Sequence, residues 1–508
     1  MAERLLFDLL VVGGGINGAG IARDAAGRGL SVCLVEQADL AAFASSASTK
    51  LIHGGLRYLE YGELRLVREA LTERERLLAI APHIVRPIRF VLPHVEELRP
   101  RWQIRLGLLF YDNLGGRKRL EASRAIRLDR DPAGRALKPG FTRGFAYSDC
   151  RVDDSRLVLL NALDAAERGA TVLTRTRLES ARADPTGWDA ECADIPTGRR
   201  IQVRARALVN ASGCWIEAVR RAAGLPAADR VRLVKGSHIV VPRIFDGEQA
   251  YTLQNPDRRV VFAIPYEEQF TLIGTTDISY EGDLHDVRVT PAEIAYLCES
   301  VNRYFTRTVT AADVAWRYAG VRALHDDHAN RAQEVTRDYD LELEHAPNGT
   351  ALLSVIGGKL STYRSLAEAA LHKLRPLVGG WPHSWTGEAP LPGGDLPGGN
   401  FEVFLDDALR RWPFLPRPVA RRMAHAYGTR MERIVGHADS LDALGEPLGA
   451  GLTAAEVDHL RAEEWAATAD DILWRRSKLG LHVPSGAAER LNLYLQARGD
   501  AARVGARP

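Results

Sequence analysis

The segment SSASTKLIHGGLRYLEYG, residues 45–62, crowds hydroxyls, a lysine, a histidine, paired glycines and an arginine into one short stretch. It is too polar for a core and too varied for a linker. Its small hydroxyl side chains, Ser45, Ser46, Ser48 and Thr49, lead into Lys50. Hydroxyls and exposed amides in such a loop suit contact with a bound diphosphate or the edge of a flavin, although a solvated surface turn has the same composition.

What precedes the segment favours a nucleotide. FDLLVV (Phe7 to Val12) is a short apolar run of the kind that forms a strand covered on both faces. GGGINGAG follows, and Gly13, Gly15 and Gly18 make GxGxxG around Asn17. The first glycine permits the tight turn, the second admits a pyrophosphate to the backbone amides, and the third lets the next helix lie close to the strand. The helix runs to about Arg28, Gly29 ends it, and SVCLVE returns as a strand finishing on Glu36. An acid there accepts from an adenosine ribose and disfavours a 2′-phosphate, so FAD or NAD is expected over NADP.

Two later segments support a flavin. ARALVNASGCW carries a strand into the small-residue turn around Ala211 and Gly213, which would return the chain to the cofactor. LLSVIGGKLSTYR is a strand, a double glycine and a helix start, with Gly358, Lys359 and Leu360 at the turn and Ser361 or Thr362 as candidate cap. Free amides, the positive end of a helix dipole and the Lys359 charge together suit an anion formed on a ring that accepts a hydride.

The chain has 508 residues, enough for about three packing units, with 46% hydrophobic and 26% charged residues, as in folded proteins. A net charge of +2 argues against bulk capture of nucleic acid. Five widely spaced cysteines without a CxxC pair suggest neither a disulfide framework nor a metal cluster, and fit a reducing compartment. The apolar start lacks a cleavage site and reads as a strand. No run of about 18 apolar residues occurs, so no membrane span is expected.

Taken together, FDLLVVGGGINGAGIARDAAGRGLSVCLVE, SSASTKLIHGGLRYLE, GFAYSDCRVDDSRLVLLNA, KGSHIVVP, FAIPY, IGTTD, TRDY, IGGKLSTYR and DDILWRRSKLGL resemble the FAD-dependent, quinone-linked glycerol-3-phosphate dehydrogenases, in particular the aerobic respiratory branch of bacteria. The likeness spans nearly the whole chain. It departs from the usual pattern at Ala323, Cys214 and Ala44, where proline, proline and threonine are usual, and no charge is lost.

The resemblance implies oxidation of sn-glycerol 3-phosphate to dihydroxyacetone phosphate, reduction of FAD, and electron transfer to ubiquinone or menaquinone. It implies a peripheral enzyme on the cytoplasmic face of the inner membrane, with an anionic membrane surface as partner and no nucleic acid. A homodimer is left open. It also implies a substrate pocket lined by Arg57, Arg322, Arg337 and Lys359, with Tyr58 and Thr362 as hydroxyl contacts. His53 is either the general base or a contact that orients the flavin, with Arg322 and Lys359 beside the reacting atoms. The implied cofactor set comprises Gly13, Gly15, Asn17, Gly18 and Glu36, then Ser45, Ser46, Ser48, Lys50, His53 and Gly54, and finally Ala211, Gly213, Gly358, Lys359 and Leu360. His238 and His325 read as structural.

The expected architecture is α/β. A Rossmann-like FAD-binding domain of the glutathione-reductase and D-amino-acid-oxidase type is discontinuous over 1–85, 145–230 and 350–378. An antiparallel-sheet cap takes 86–144 and 231–349, a glycine- and proline-rich linker 379–400, and a C-terminal helical domain 401–508. In PRWQIRLGLLFYDNLGGRKRL, Trp102, Leu106, Leu109 and Phe110 share one helical face, with Arg101 and Arg105 away from it and Arg117, Lys118 and Arg119 beyond. That pattern suits a membrane boundary or an ordinary core-facing helix. Two rival functions remain: a soluble oxidase passing electrons to O2 from glycerol 3-phosphate or a small amine, and a non-catalytic FAD-binding protein.

Overall fold

The computed structural model describes residues 4–116, 119–226, 231–325, 338–346, 349–380 and 382–505, with backbone alone for Arg4, Tyr61 and 499–505. Strand Arg4–Val12 is central because it is apolar on both faces: Leu9, Leu10 and Val11 are fully buried. It runs parallel to Arg200–Asn210 on one side and Val32–Val35 on the other. Ala351–Gly357 and Thr171–Leu173 extend the sheet outward, also in parallel. Leu9 and Val11 face a core built with helices Ile16–Gly27, Asp154–Glu167 and Tyr363–Val378, whereas Leu10 and Val12 face Trp188 and Val219. The helices come close because Gly20 has no side chain; a Cβ there would stand 2.7 Å from the Tyr363 ring.

The second sheet lies across the carboxyl ends of these strands. Its path runs from Ile278–Ser279 through Val231–Pro242, Phe270–Gly274, Val260–Tyr266, Ala250–Gln254, Val85–Pro93 and Arg143–Val152 to Leu51–Ile52, with Trp316–His325 paired to Val231–Pro242. Helix Pro291–Asn302 covers its outer face, started by a capping box in which Thr290 and Glu293 satisfy each other's backbone amides.

Two expected domain boundaries move. Leu51–Ile52 and Arg143–Val152, assigned in part to the FAD domain, pair into this second sheet. Tyr339–His345, assigned to the cap, is hydrogen-bonded antiparallel to Ala351–Gly357 over seven residue pairs and so belongs to the first sheet. The reason is a hairpin: pairing with its sequence neighbour outweighs the cap-like pattern of the preceding strands.

Among its described residues segment 379–400 has no long regular element, and it is anchored to the first sheet's helices. Trp385 lies against Gly27, donates to the Asp24 carbonyl at 3.2 Å, and sits under the Arg23 and Arg168 guanidinium groups. Beyond it, helices Phe401–Arg411, Arg417–Tyr427 and Ala454–Glu463 enclose their own core around Met423, Tyr427, Val457 and Ile472. Among the described residues no helix is long and apolar enough to cross a membrane.

The helical domain docks through buried charge. Arg476 forks onto both oxygens of Asp39 at 2.7 and 2.8 Å, and Arg156 pairs with Glu464, every side chain being almost fully enclosed. Removing one member leaves a desolvated charge behind, which typically costs about 3–5 kcal/mol. Asp39→Ala is therefore expected to lower the guanidinium unfolding midpoint, or to split the transition so that the C-terminal helices melt first. An unchanged single transition would refute this account of the docking.

Candidate active site

The backbone turn after Val12 is possible only for glycine. Gly13 has φ +113°, and a Cβ there would stand 2.4 Å from the Ala211 carbonyl oxygen. A Cβ on Gly18 would stand 1.9 Å from the Gly13 carbonyl oxygen, so strand and helix touch backbone to backbone. Gly15 begins helix Ile16–Gly27, whose first amides and positive dipole end open toward the space beyond. Ser45 Oγ accepts from the Ile16 amide at 3.0 Å and fixes the serine loop to the helix start. Glu36 accepts from the Gly14 and Ala38 amides at 2.7 and 2.8 Å. Burial raises its pKa from the ordinary value.

These groups line one end of a cavity of about 460 Å³ between the two sheets. Gly13, Gly15, Asn17 and Glu36 lie at its first-sheet end, with Ala211 and Gly213 on the neighbouring turn. Ser45, Ser48, His53 and Tyr58 come from the opening segment, Gly358, Lys359 and Leu360 from the later turn, and Arg322 from roof strand Trp316–His325. Gly357 and Gly358, at φ +73° and +94°, swing Lys359 inward, and its Nζ lies 3.9 Å from the centroid of the Tyr58 ring. Arg322 Nη1 bonds Asp277 Oδ1 at 2.7 Å. The guanidinium fits because position 236 is glycine: a Cβ there would meet Arg322 Nη2 at 2.2 Å.

Other expected site residues are placed away from the lining. Lys50 is buried, its ammonium 2.8 Å from Asp154 Oδ1 and 2.9 Å from the Ser46 carbonyl, so it braces the loop instead of facing the cavity. Ser46 Oγ is directed to the Phe43 carbonyl. Gly54 gives its amide to the Tyr111 hydroxyl at 2.7 Å and leaves room for Leu71. Gly18 acts through backbone contact alone. Arg57 sits half-buried on the short helix Leu56–Tyr61, outside the lining, and Thr362 is buried at the start of helix Tyr363–Val378. Arg337 lies outside the described residues. His238 is buried, stacked on Tyr318 and bonded to Thr49 at 3.0 Å, with its pKa well below the ordinary range through burial.

Three residues in the quoted motifs acquire roles that the sequence reading missed. Ser361 accepts from the His53 amide and donates to the His53 carbonyl, both at 3.2 Å, clamping that residue to the helix start. Asp277, the acid of IGTTD, orients Arg322. Asp154, in VDDSR, anchors Lys50 and accepts from Ser48 Oγ at 2.7 Å.

The cavity fits a dinucleotide with an aromatic ring system. The glycine cradle would be filled by any side chain, and Asn17 Oδ1 is buried with no hydrogen-bond partner while its Nδ2 donates to the Gly357 carbonyl. Residues 8–364 match the model of the FAD dependent oxidoreductase family, and residues 384–496 that of the C-terminal domain of alpha-glycerophosphate oxidase. A glycerol-3-phosphate dehydrogenase of Pseudomonas aeruginosa is 52% identical over 97% of this chain and 95% of its own. A D-erythritol 1-phosphate dehydrogenase of Brucella abortus is 50% identical over 95% and 96%. The crystal structure of a Bacillus halodurans glycerol-3-phosphate dehydrogenase complexed with FAD superposes with a TM-score of 0.73, at 27% identity, over 97% of this chain and 94% of that one.

The fold and the cradle are thus those of an FAD-dependent oxidoreductase. Within that class the chain belongs to the glycerol-3-phosphate dehydrogenase family.

Gly18→Ala is expected to push the helix start off the strand and to cut the flavin bound per chain severely in the purified protein. Wild-type flavin content in that variant would show that the backbone contact does not shape the cradle.

Proposed function

We propose that the chain oxidises the secondary alcohol of sn-glycerol 3-phosphate to give dihydroxyacetone phosphate, and that the electrons pass to a membrane quinone. The observation that carries this reading is that Lys359 and Arg322, from different sheets, line one cavity with His53. FAD, when bound, supplies the hydride acceptor. The phosphate needs cations, and a guanidinium offers it two parallel donors. Arg322, held by Asp277, is suited to the phosphate or to the developing alkoxide, and Lys359 places a positive charge beside Tyr58 in the same wall. His53, fixed through its backbone by Ser361 and edge-on to Phe262, is suited to take the hydroxyl proton.

Lys359→Ala should leave folding and flavin content intact and lower kcat by about 10²–10³-fold, as for loss of one preorganised stabilising charge. Undiminished turnover would count for a non-catalytic flavoprotein. Anaerobic mixing with glycerol 3-phosphate should bleach the flavin faster than mixing with D-erythritol 1-phosphate or unphosphorylated glycerol. Faster bleaching by the erythritol ester would transfer the assignment to that substrate. Reoxidation of the bleached flavin should be faster with a quinone than with O2; the reverse order would make the chain an oxidase.

We also propose that helix Arg101–Leu114 rests on an anionic bilayer, placing the enzyme peripherally on the cytoplasmic face of the inner membrane. Ile104, Leu108 and Tyr111 bury one stripe of the helix, while Trp102, Leu106, Leu109 and Phe110 are 46–69% exposed on the other. An ordinary core-facing helix would not leave that second apolar face in water, and Trp and Phe suit a bilayer boundary. Replacing Trp102, Leu109 and Phe110 by Ser should weaken binding to anionic vesicles by at least about tenfold while soluble-acceptor turnover is kept. Equal binding of both proteins would reject this surface.

A further inference from the structure

A second cavity, of about 690 Å³, opens behind the cofactor loop, where the helical domain meets strands Val85–Pro93, Arg143–Val152 and Val260–Tyr266. Among the described residues, eight lysines and arginines line it against four carboxylates. Most of the cations are already matched. Lys50 and Lys478 share Asp153 and Asp154, Arg422 forks onto Glu456, Arg476 onto Asp39, and Arg421 onto Glu402. Arg243 spends its donors on the carbonyls of Phe245, Gly247 and Glu268.

Arg86 and Arg151 are different. Among the described residues Arg86 has no carboxylate within 4.0 Å; its Nη1 donates to His425 Nε2 at 2.6 Å, and His425 Nδ1 donates in turn to the His83 carbonyl at 2.9 Å. The imidazole is therefore a neutral relay that brings no countercharge. Arg86 Nε is buried and makes no hydrogen bond. Arg151 is 4.0 Å from Glu248, whose own side chain is 76% exposed. Burial pulls both guanidinium groups below their ordinary pKa, helped by the Arg151 charge at Arg86 and by the Arg421 charge at Arg151, and opposed at both by Glu267. One buried polar atom without a hydrogen-bond partner belongs to the same lining: the Tyr266 hydroxyl, on a residue 8% exposed. Desolvated donors beside two poorly compensated cations are costly unless an anion completes them.

We infer that this cavity is a second, non-catalytic binding site for a phosphate-bearing small metabolite, held by Arg86 and Arg151 with the Tyr266 hydroxyl as a further donor. A phosphate monoester is a dianion at neutral pH and so balances two guanidinium charges, and the planar forks match its oxygens. The volume leaves room for an organic group beyond the phosphate. The site adjoins the catalytic cavity through Lys50, which lines this one while its partner Asp154 holds Ser48 of the other. An anion here therefore bears on the loop that shapes the flavin cradle.

The test is equilibrium dialysis of inorganic phosphate, and of methyl phosphate, against the FAD-loaded enzyme with chloride matching the ionic strength. It is run in a Lys359→Ala background to weaken the catalytic site. That background should bind about one phosphate per chain, with a rise in Tm. Adding Arg151→Gln or Arg86→Gln should weaken this binding at least tenfold, and Arg151→Lys should restore part of it. Arg151 lies on a strand with a partly exposed side chain, so its variants keep the test decisive if Arg86→Gln does not fold. With Lys359 intact, Arg151→Gln should leave the KM for glycerol 3-phosphate unchanged. No phosphate bound in the Lys359→Ala background, or binding that survives Arg151→Gln at full strength, would overturn the proposal.

Discussion

Lys50 and Asp154 make the contact on which the rest of this molecule depends. The ammonium lies 2.8 and 2.9 Å from the two carboxylate oxygens, both groups are buried, and Asp154 also takes the Ser48 hydroxyl and the Ser155 amide. Desolvation pulls the Lys50 pKa down, and the attraction of Asp154 opposes that fall. Such a pair contributes little net stability compared with an apolar replacement, but breaking it is costly. Its value is positional. It ties the serine loop to the start of helix Asp154–Glu167, and Lys478 reaches the same acids from the helical domain. Three parts of the chain thus meet at one charge cluster, and the loop between Ser45 and His53 is held from behind while its front lines the cavity.

That arrangement explains what the sequence could and could not disclose. The glycine turn, the acid at Glu36 and the double glycine before Lys359 are local devices, each satisfied within a few dozen residues, so their spacing was readable. Lys50 suits a cofactor contact by its hydroxyl-rich neighbours; its partner is 104 positions away and belongs to a different motif. Ser361 looked like a helix cap, yet its hydroxyl serves the His53 backbone across 308 positions. The exposed face of helix Arg101–Leu114 was ambiguous for another reason: an apolar stripe fixes periodicity and not what covers it. Burial of the alternate stripe, Ile104, Leu108 and Tyr111, shows which face meets the protein.

The roof sheet follows a similar logic. Arg322 reaches the cavity only because three distant choices agree. Gly236 leaves the volume, Asp277 supplies the orienting carboxylate, and Gly320 lets the strand approach the cofactor loop, where a Cβ would stand 2.7 Å from Ala47 Cβ. None of the three is conspicuous alone. The departure at Ala323, where proline is usual in the family, does not loosen this strand, since its pairing with Val231–Pro242 runs unbroken from Trp316 to His325.

Placing the two cavity-wall cations, Lys359 and Arg322, on different sheets has a consequence for what the cavity can hold. Lys359 follows a tight glycine turn and is set by the first sheet; Arg322 is set by the second, and the distance between them depends on how the sheets are held apart. Relatives about half identical to this chain are named for a three-carbon and a four-carbon polyol phosphate. A polyol longer by one carbon needs roughly one more bond length of room. A small shift of the roof could accommodate that without exchanging either cation. Discrimination would then reside in the spacing set by the Gly320–Ala47 contact and the Lys50–Asp154 anchor, neither of which has to touch the substrate.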